Sequence, residues 1–389
     1  MEKEIKFLTS ESVTEGHPDK VCDKIADSIL DEYLAQDKNA HVACEVVATT
    51  DFVLVMGEVS ANASVNVEKV VRDTVAEIGY TDPKLGFSDK SLEVEIRLNQ
   101  QSPDIAMGVG DDEGAGDQGM MFGLACKDTE ELMPAPIMYS HKLTKRLADL
   151  RKNNVVSFLR PDGKAQVTAE YENDKLKRID NVVVSTQHDE TISTEDLRKF
   201  VKEEVIEKVI PPNLLDKDTK YYINPTGRFV IGGPTGDSGL TGRKIIVDTY
   251  GGMCHNGGGA FSGKDPSKVD RSAAYLCRYI AKNLVASGII DKIEVGLSYA
   301  IGVAEPTSIM LDTYGKSFKY DLSNEQVCQM IRDLFPLSPR AIIKHLDLRR
   351  PIYKETTNYG HFGKTGFTWE QCDKTKEILD YIGKINKNL

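Results

Sequence analysis

Residues 257–271 read Gly-Gly-Gly-Ala-Phe-Ser-Gly-Lys-Asp-Pro-Ser-Lys-Val-Asp-Arg, which comes close to spelling a phosphate-binding P-loop. Gly258, Gly263 and Lys264 keep the required spacing, but Asp265 stands where a Ser or Thr hydroxyl would hold Mg2+. A carboxylate cannot take that hydroxyl's part, so the segment suits a polyphosphate held in another way. More cations lie beside glycine turns: Lys164 in Arg-Pro-Asp-Gly-Lys, Arg228 in Asn-Pro-Thr-Gly-Arg-Phe, Arg243 and Lys244 in Gly-Leu-Thr-Gly-Arg-Lys, then Lys264, Lys268 and Arg271. Fixed cations set at such turns make a clamp for a triphosphate. Asp237, Asp265 and Asp270 interleave with them, which suits a magnesium polyphosphate better than a bare one. Taken singly, each of these charges reads equally as solvated surface.

Residues 11–20, Glu-Ser-Val-Thr-Glu-Gly-His-Pro-Asp-Lys, lead straight into an apolar-periodic segment. His17 and Asp19 fall at the expected helix N-terminus, where backbone N–H groups attract anions. There His17 could donate to a phosphate or leaving oxygen, and Asp19 could hold Mg2+. Ser, Thr, Asp and Pro are also ordinary helix-start residues, so capping explains the same types. Gly114-Ala-Gly-Asp-Gln-Gly119 matches G-x-G-x-x-G letter for letter. A dinucleotide site needs a strand before it and a helix after it; here an acidic loop precedes and an apolar strand follows. A hinge, with Asp117 and Gln118 as polar groups facing a small ligand, or a plain loop, fits better. There is no Ser-His-Asp arrangement, G-x-S-x-G, H-E-x-x-H or EF-hand loop.

The elements that must position these groups come in three rounds. Val21, Ile25, Ile29 and Tyr33 recur every four residues and predict a helix over 18–35. With strands at 5–8, 41–48, 52–60 and 92–98 and a helix through 67–78, the order is β-α-β-β-α-β. It returns as strand 120–126, helix 136–150, strands 165–171 and 181–186, helix 197–209 and strand 220–223. The third round opens with a strand at 244–249, then a helix over 267–286 with Ala273, Cys277, Ile280 and Leu284 on one face. Strands at 292–299 and 307–312 and a helix at 325–335 follow, but 339–346 reads as helix rather than strand. The expected fold is α+β: three pseudo-symmetric split β-α-β-β-α-β domains, each a sheet covered by helices on one face. A generic α/β protein is the plainer alternative. Exposed sheet faces would call for a partner copy. The expected division is 1–102, a flexible gating loop at 103–118, then 119–231 and 232–389. Residues 102–119 hold five glycines and five acids without periodicity.

A chain of 389 residues suits two or three domains. Net charge of −11 argues against a broad nucleic-acid or membrane surface. Seven scattered cysteines without a C-x-x-C pair speak against zinc and fit reduced thiols in a cytoplasmic setting. The first residues lack a signal peptide's apolar core, and no run nears the ~18 apolar residues of a membrane helix.

Together, the segments at 11–20, 114–119 and 257–271 resemble the three signature motifs of the S-adenosylmethionine synthetase (methionine adenosyltransferase) family. Gln101-Ser-Pro-Asp-Ile, Ser185-Thr-Gln-His, Asn224-Pro-Thr-Gly-Arg-Phe, Lys244-Ile-Ile-Val-Asp-Thr-Tyr-Gly and the segment at 298–307 extend the resemblance across about 9–369. It implies attack of the methionine sulfur on C5′ of ATP, then cleavage of the released triphosphate to pyrophosphate and phosphate. It implies Mg2+, two per site, activation by K+, and homodimers with shared sites, paired into tetramers. By position, His17, Asp162, Gly163, Lys164, Arg228, Phe229, Asp237, Arg243, Lys244, Ala260 and Lys264 match ATP contacts. His17, Lys164, Arg243 and Lys264 are the expected catalytic groups. Glu58, Gln101, Asp237 and Lys268 match methionine-binding positions, Asp19 and Asp270 the Mg2+ ligands, and Glu45 the K+ ligand. Gly110 before the loop acids and Met56 depart from the family pattern, and Cys254 and His255 match no family role. An ATPase or kinase, or a nucleotide binder without turnover, are the competing readings.

Overall fold

The structure, a computed structural model, describes residues 4–100 and 114–387. Gln101 and residues 103–113 of the expected gating loop lie outside the described residues. The chain opens with β1 (Ile5–Val13), α1 (Pro18–Gln36), the hairpin β2 (His41–Thr49) and β3 (Phe52–Ser60), α2 (Val67–Ile78) and β4 (Glu93–Gln100). Alternation is strict in β2, where Val42, Cys44, Val46 and Ala48 are buried, because successive strand side chains point to opposite faces. α2 starts at Asn66, whose side chain accepts from Lys69 N, and stops at Gly79 with φ 112°.

Next come β5 (Gly119–Cys126), α3 (Ala135–Lys152), β6 (Leu159–Glu172), β7 (Lys175–His188), α4 (Thr194–Phe200) and β8 (Lys220–Ile223). The expected helix at 197–209 is α4 continued by a π-helical stretch, Val201–Ile206, and a last turn, Glu207–Val209. The last part holds β9 (Gly239–Leu240), α5 (Ile245–Asp248), α6 (Val269–Ala286), β10 (Lys292–Tyr299), β11 (Ser308–Asp312), α7 (Asn324–Leu334), α8 (Pro339–His345) and α9 (Thr375–Lys387). The strand expected at 244–249 is therefore corrected to the short helix α5. Asp248 N donates to Lys244 O at 2.8 Å, and Thr249 Oγ1 to Ile245 O at 2.8 Å. A three-residue apolar run, Ile245 to Val247, cannot by itself distinguish strand from buried helix. The segment at 339–346 is helical, as expected.

Strand pairing departs from chain order. The sheets run β4-β3-β2-β9, β1-β6-β7-β8 and β11-β10-β5. Each sheet thus takes one strand from a different third of the chain. β1 lies antiparallel on β6, from Ile5 opposite Glu172 to Val13 opposite Lys164. β5 lies on β10, and β9 on β2. This exchange brings the residues after β1 to the start of β6. α6 packs directly on β5: a Cβ on Gly123 would come within 2.2 Å of the Cys277 carbonyl carbon. The expected α6 face, Ala273, Cys277, Ile280 and Leu284, is fully buried. Among the described residues no helix is long and apolar enough to cross a membrane.

A second pattern on α1 ties these parts together. Asp19, Asp23, Asp27 and Asp31 recur every four residues, so they share one helix face. Asp19 accepts from Leu240 N, Asp23 from Gly242 N, Asp27 from Gly263 N, and Asp31 from Tyr353 N and Lys354 N. Asp27 also receives Arg271 in a two-pronged pair at 2.7 and 2.8 Å, both side chains having no exposure. Arg271, read from sequence as one of the clamp cations, is therefore a buried structural group. Removing one partner of a buried pair strands the other's charge, so Asp27→Ala should cost about 3–5 kcal/mol. Lys69→Ala, which removes the exposed pair with Asp73, should cost less than about 1 kcal/mol. Urea unfolding of the two variants checks this, and equal midpoints would contradict it.

Candidate functional site

The first motif begins where β1 stops. Thr14 N donates to Gly163 O at 2.9 Å and Thr14 Oγ1 to Pro161 O at 2.7 Å, laying the chain over the start of β6. Gly16 is required there, since a Cβ would come within 2.4 Å of the Pro161 backbone. His17 is the N-cap of α1, with Pro18 next. Its Nδ1 accepts from Asp19 N at 3.2 Å, which leaves the proton of the neutral ring on Nε2 as a donor. Burial first, then the charges of Lys244 and Lys164, pull its pKa down to about 3, with Asp19 opposing. His17 thus holds a neutral imidazole N–H between cations.

Asp19 sits among those cations. Its carboxylate receives Lys244 Nζ at 2.6 Å and lies 3.7 Å from Arg243. Burial works against the charged form, but the bond and charge of Lys244 and the Leu240 N–H overcome it and hold the pKa low. Lys164, exposed on β6 opposite Val13, completes the group. Behind it, the Lys20 ammonium is buried between Asp248 and Asp23. His17, Asp19, Lys164, Arg243 and Lys244 are therefore brought together.

The third motif is stitched along the edge of β2. Gly263 O accepts from Cys44 N at 2.9 Å, and Asp265 N donates to Val42 O at 3.1 Å. Gly263 takes φ 82°, and a Cβ there would come within 1.9 Å of Cys44 O, so only glycine fits. Asp265 is fully buried: Oδ2 accepts from Val42 N at 2.7 Å and from Lys268 Nζ at 2.5 Å, and Oδ1 from Ser267 N at 2.9 Å. The residue that spoils the P-loop match is the clasp that closes this loop. Arg271 donates to Phe261 O and Lys264 O from beneath. Lys264 Nζ reaches Asp270 at 2.7 Å. Ala260 rests on Gly242, where an added Cβ would meet it at 2.7 Å. Glu45 on β2 is half-buried; burial raises its pKa against a Thr241 hydrogen bond and the Lys264 charge. Glu58 pairs with Ala43 across the β2–β3 hairpin.

A third group forms where β6 and β7 meet residues 224–237. Asp162 Oδ2 accepts from Gly233 N at 2.8 Å, and burial lifts the carboxyl to about 6 against that bond and Lys164. Gln187 spans the gap, accepting from Asp162 N and donating to Val230 O. His188 holds Phe229. Arg228 is exposed and pairs with Glu190 at 2.8 Å. Asp237 is exposed beside Gly233, whose carbonyl accepts its N–H.

Other expectations are met less directly. Among the described residues Asp19 and Asp270 share no partner: the first holds Lys244, the second Lys264. Lys268 is taken up by Asp265. Among the described residues no three His, Cys, Asp or Glu groups are arranged to hold a metal. Mg2+ needs no such cage, because it binds through one or two carboxylates plus phosphate oxygens and water. Asp19 and Asp270 are oxygen donors of that kind. The Gly114–Gly119 segment is pinned by Ala115, which accepts from Gly302 N and donates to Val303 O. Cavities of about 570 Å3 beside Tyr33 and His41 and about 630 Å3 beside Arg198 and Tyr222 contain none of the expected site residues. Sequence reasoning passed over the carboxylate row of α1, although its four-residue spacing is legible. It also left His255 unassigned. The ring Nδ1 lies 2.6 Å from Oε1 of buried Glu294 and the His255 backbone N–H donates to Oε2 of the same carboxylate, anchoring the entry to the third motif.

Three sheets with their helices and a cation-rich junction place the chain among three-domain proteins of mixed α and β content. Family models match it in three consecutive parts. They are the N-terminal domain of S-adenosylmethionine synthetase over residues 5–103, the central domain over 112–229 and the C-terminal domain over 231–371. The chain belongs to the S-adenosylmethionine synthetase family. It is 56% identical to the S-adenosylmethionine synthase of Clostridium botulinum over 97% of this chain and 100% of that protein. It is 56% identical to that of Desulfosudis oleivorans (97% and 98%) and 54% identical to that of Finegoldia magna (97% and 99%).

Two outcomes are expected. Folding lowers the His17 pKa, so the unfolded chain binds a proton that the folded chain refuses. The His17 contribution to stability is therefore full above pH 6.5 and falls as pH drops from 6.5 toward about 3. NMR titration should show a neutral ring at pH 5; a midpoint near 6.5 would contradict it. Asp265→Ser, which completes the P-loop pattern, should lower the thermal midpoint and turnover, because it removes the clasp. A gain in ATP affinity would refute this account of Asp265.

Proposed function

We propose that the chain makes S-adenosylmethionine from ATP and L-methionine. The family match along nearly its whole length carries this reading, and the cluster of His17, Lys164, Arg243 and Lys244 around Asp19 supports it. A lone pair on the methionine sulfur forms the bond to C5′, the C5′–O bond breaks, and the electron pair leaves on triphosphate. Water then cleaves the triphosphate to pyrophosphate and phosphate. Displacement at a primary carbon by a neutral sulfur needs alignment more than acid–base work.

Charge accumulates on the departing oxygen, and fixed donors lower that barrier most. His17 Nε2–H donates to the leaving oxygen or its phosphate, while Lys164, Arg243, Lys244 and Lys264 bind phosphate oxygens. Asp162, Gly163, Arg228, Phe229, Asp237 and Ala260 complete the nucleotide site. Phe229 offers only a ring face and edge, which suits the base rather than the phosphates. Glu58, Gln101, Asp237 and Lys268 hold methionine. Asp19 and Asp270 would hold Mg2+, two ions per site, which would supply further neutralisation of the phosphates, and Glu45 would hold K+. Lys244 and Lys264, paired with those aspartates in the free chain, would bind phosphate oxygens in the complex. Among the described residues Asp19 and Asp270 have separate partners, Lys244 and Lys264, which favours sites shared between two copies and a dimer of dimers. Exposed Met56, Ile96, Met120 and Met310 favour the same.

The chain is read as three pseudo-symmetric split units with helices on one face of each sheet, each sheet including one strand from another third of the chain. Its segments are 1–102, 119–231 and 232–389, with 103–118 as the gate. A cytoplasmic setting suits seven free cysteines. ATP, methionine, Mg2+ and K+ should yield a sulfonium product with phosphate and pyrophosphate; ADP alone would indicate phosphoryl transfer and overturn the reading. Lys264→Ala should lower turnover about 100-fold, the size of losing one charge-stabilising donor, with an unchanged thermal midpoint. Unchanged turnover would remove Lys264 from the site.

A further inference from the structure

We infer that His188 is a positioning residue for the nucleotide base, acting through Phe229. Both backbone groups of Phe229 are held by this one residue. Phe229 N donates to His188 Nε2 at 3.1 Å, and Phe229 O accepts from His188 N at 3.0 Å. The His188 Nδ1 lies 2.7 Å from Asp189 O. A carbonyl only accepts and a peptide N–H only donates, so the ring is the neutral tautomer with its proton on Nδ1. His188 is 4% exposed and ends β7, paired with Leu159 on β6. Its position is therefore set by the sheet rather than by the loop it holds.

The held segment is fixed at several points by residues of β6 and β7, and at Phe229 by His188. Residues 224–237 contain β8's exit turn and a 3-10 turn, Gly233–Thr235, and no long element. The half-buried Phe229 ring edge lies where a Cβ on Gly232 would meet it at 2.8 Å, with Gln187 at 2.9 Å on the same glycine. Gln187 repeats the device one residue earlier by bridging Asp162 N and Val230 O. The end of β7 thus sets the ring relative to Asp162, Gly163 and Lys164 on β6. A loop held this way presents a preformed stacking face and saves the ordering that binding would otherwise demand.

The inference rests on the reading of Phe229 as a nucleotide contact, and the test separates the two. Steady-state kinetics of the full enzyme are measured with ATP, and separately with inorganic tripolyphosphate, which has no base. His188→Asn and His188→Leu should raise KM for ATP about tenfold with kcat within about twofold. KM for tripolyphosphate should not change. His188→Gln places an oxygen near the Nε2 position and should recover most of the loss. Phe229→Ala should raise KM for ATP similarly, and adding His188→Asn to it should cost little more, as expected for two residues acting as one unit. Nitrogen-15 NMR of the unaltered enzyme should show His188 protonated on Nδ1. If His188→Leu does not fold, the Asn and Gln variants and the tautomer still decide. The inference is overturned if Phe229→Ala raises KM for ATP while His188→Asn does not. It is overturned equally if His188→Asn weakens ATP and tripolyphosphate alike, or if the ring carries its proton on Nε2. If Phe229→Ala leaves KM for ATP unchanged, the reading of Phe229 fails first and the inference falls with it.

Discussion

The row of carboxylates on α1 is the constraint on which the rest of the structure depends. Asp19, Asp23, Asp27 and Asp31 each accept a backbone N–H from beyond residue 239. A buried peptide N–H must find an acceptor, and a buried carboxylate must find donors. One helix face meets both needs for three separate segments, at 240–242, 263 and 353–354. Arg271 completes the row at Asp27 and also ties down the carbonyls of Phe261 and Lys264. The third motif is therefore held from below by α1 and along its edge by β2. A loop of glycines without this support would have to be ordered by its ligand, at a cost in conformational entropy.

The exchange of strands between sheets does the corresponding work for the first motif. Because β1 pairs with β6, the chain leaves it at Lys164 and turns at Gly16 into α1. His17 and Lys164 lie far apart in sequence and meet through this one register. A shift by a single residue would turn every β1 side chain to the other face. β9 repeats the arrangement on β2, setting Gly242 under Ala260.

Electrostatically, three cations of the site are each held by a carboxylate. Lys244 lies on Asp19, Lys264 on Asp270 and Lys268 on Asp265. The first two pairs join a cation expected to bind phosphate to a carboxylate expected to bind a metal. Such pairs keep strong charges fixed in a partly desolvated place without leaving any of them unpaired. The third pair differs, since Asp265 is closed inside the loop and serves its shape.

Sequence by itself determined the elements and the types of group at the site. Four-residue periodicity on α1 and α6 and alternation on β2 are local physics, and the structure keeps them. Glycine turns beside lysines marked the polyphosphate character of 257–271, and the motifs marked the family. Tertiary structure alone decided which strand lies in which sheet, that 244–249 coils as α5, and that Arg271 and Asp265 are buried fasteners. It also decided that His188 grips Phe229. Periodicity records which face of an element is buried, but not what covers it. A charged residue has one letter whether it faces a ligand or an oppositely charged group in the core, and only the packed partners distinguish the two.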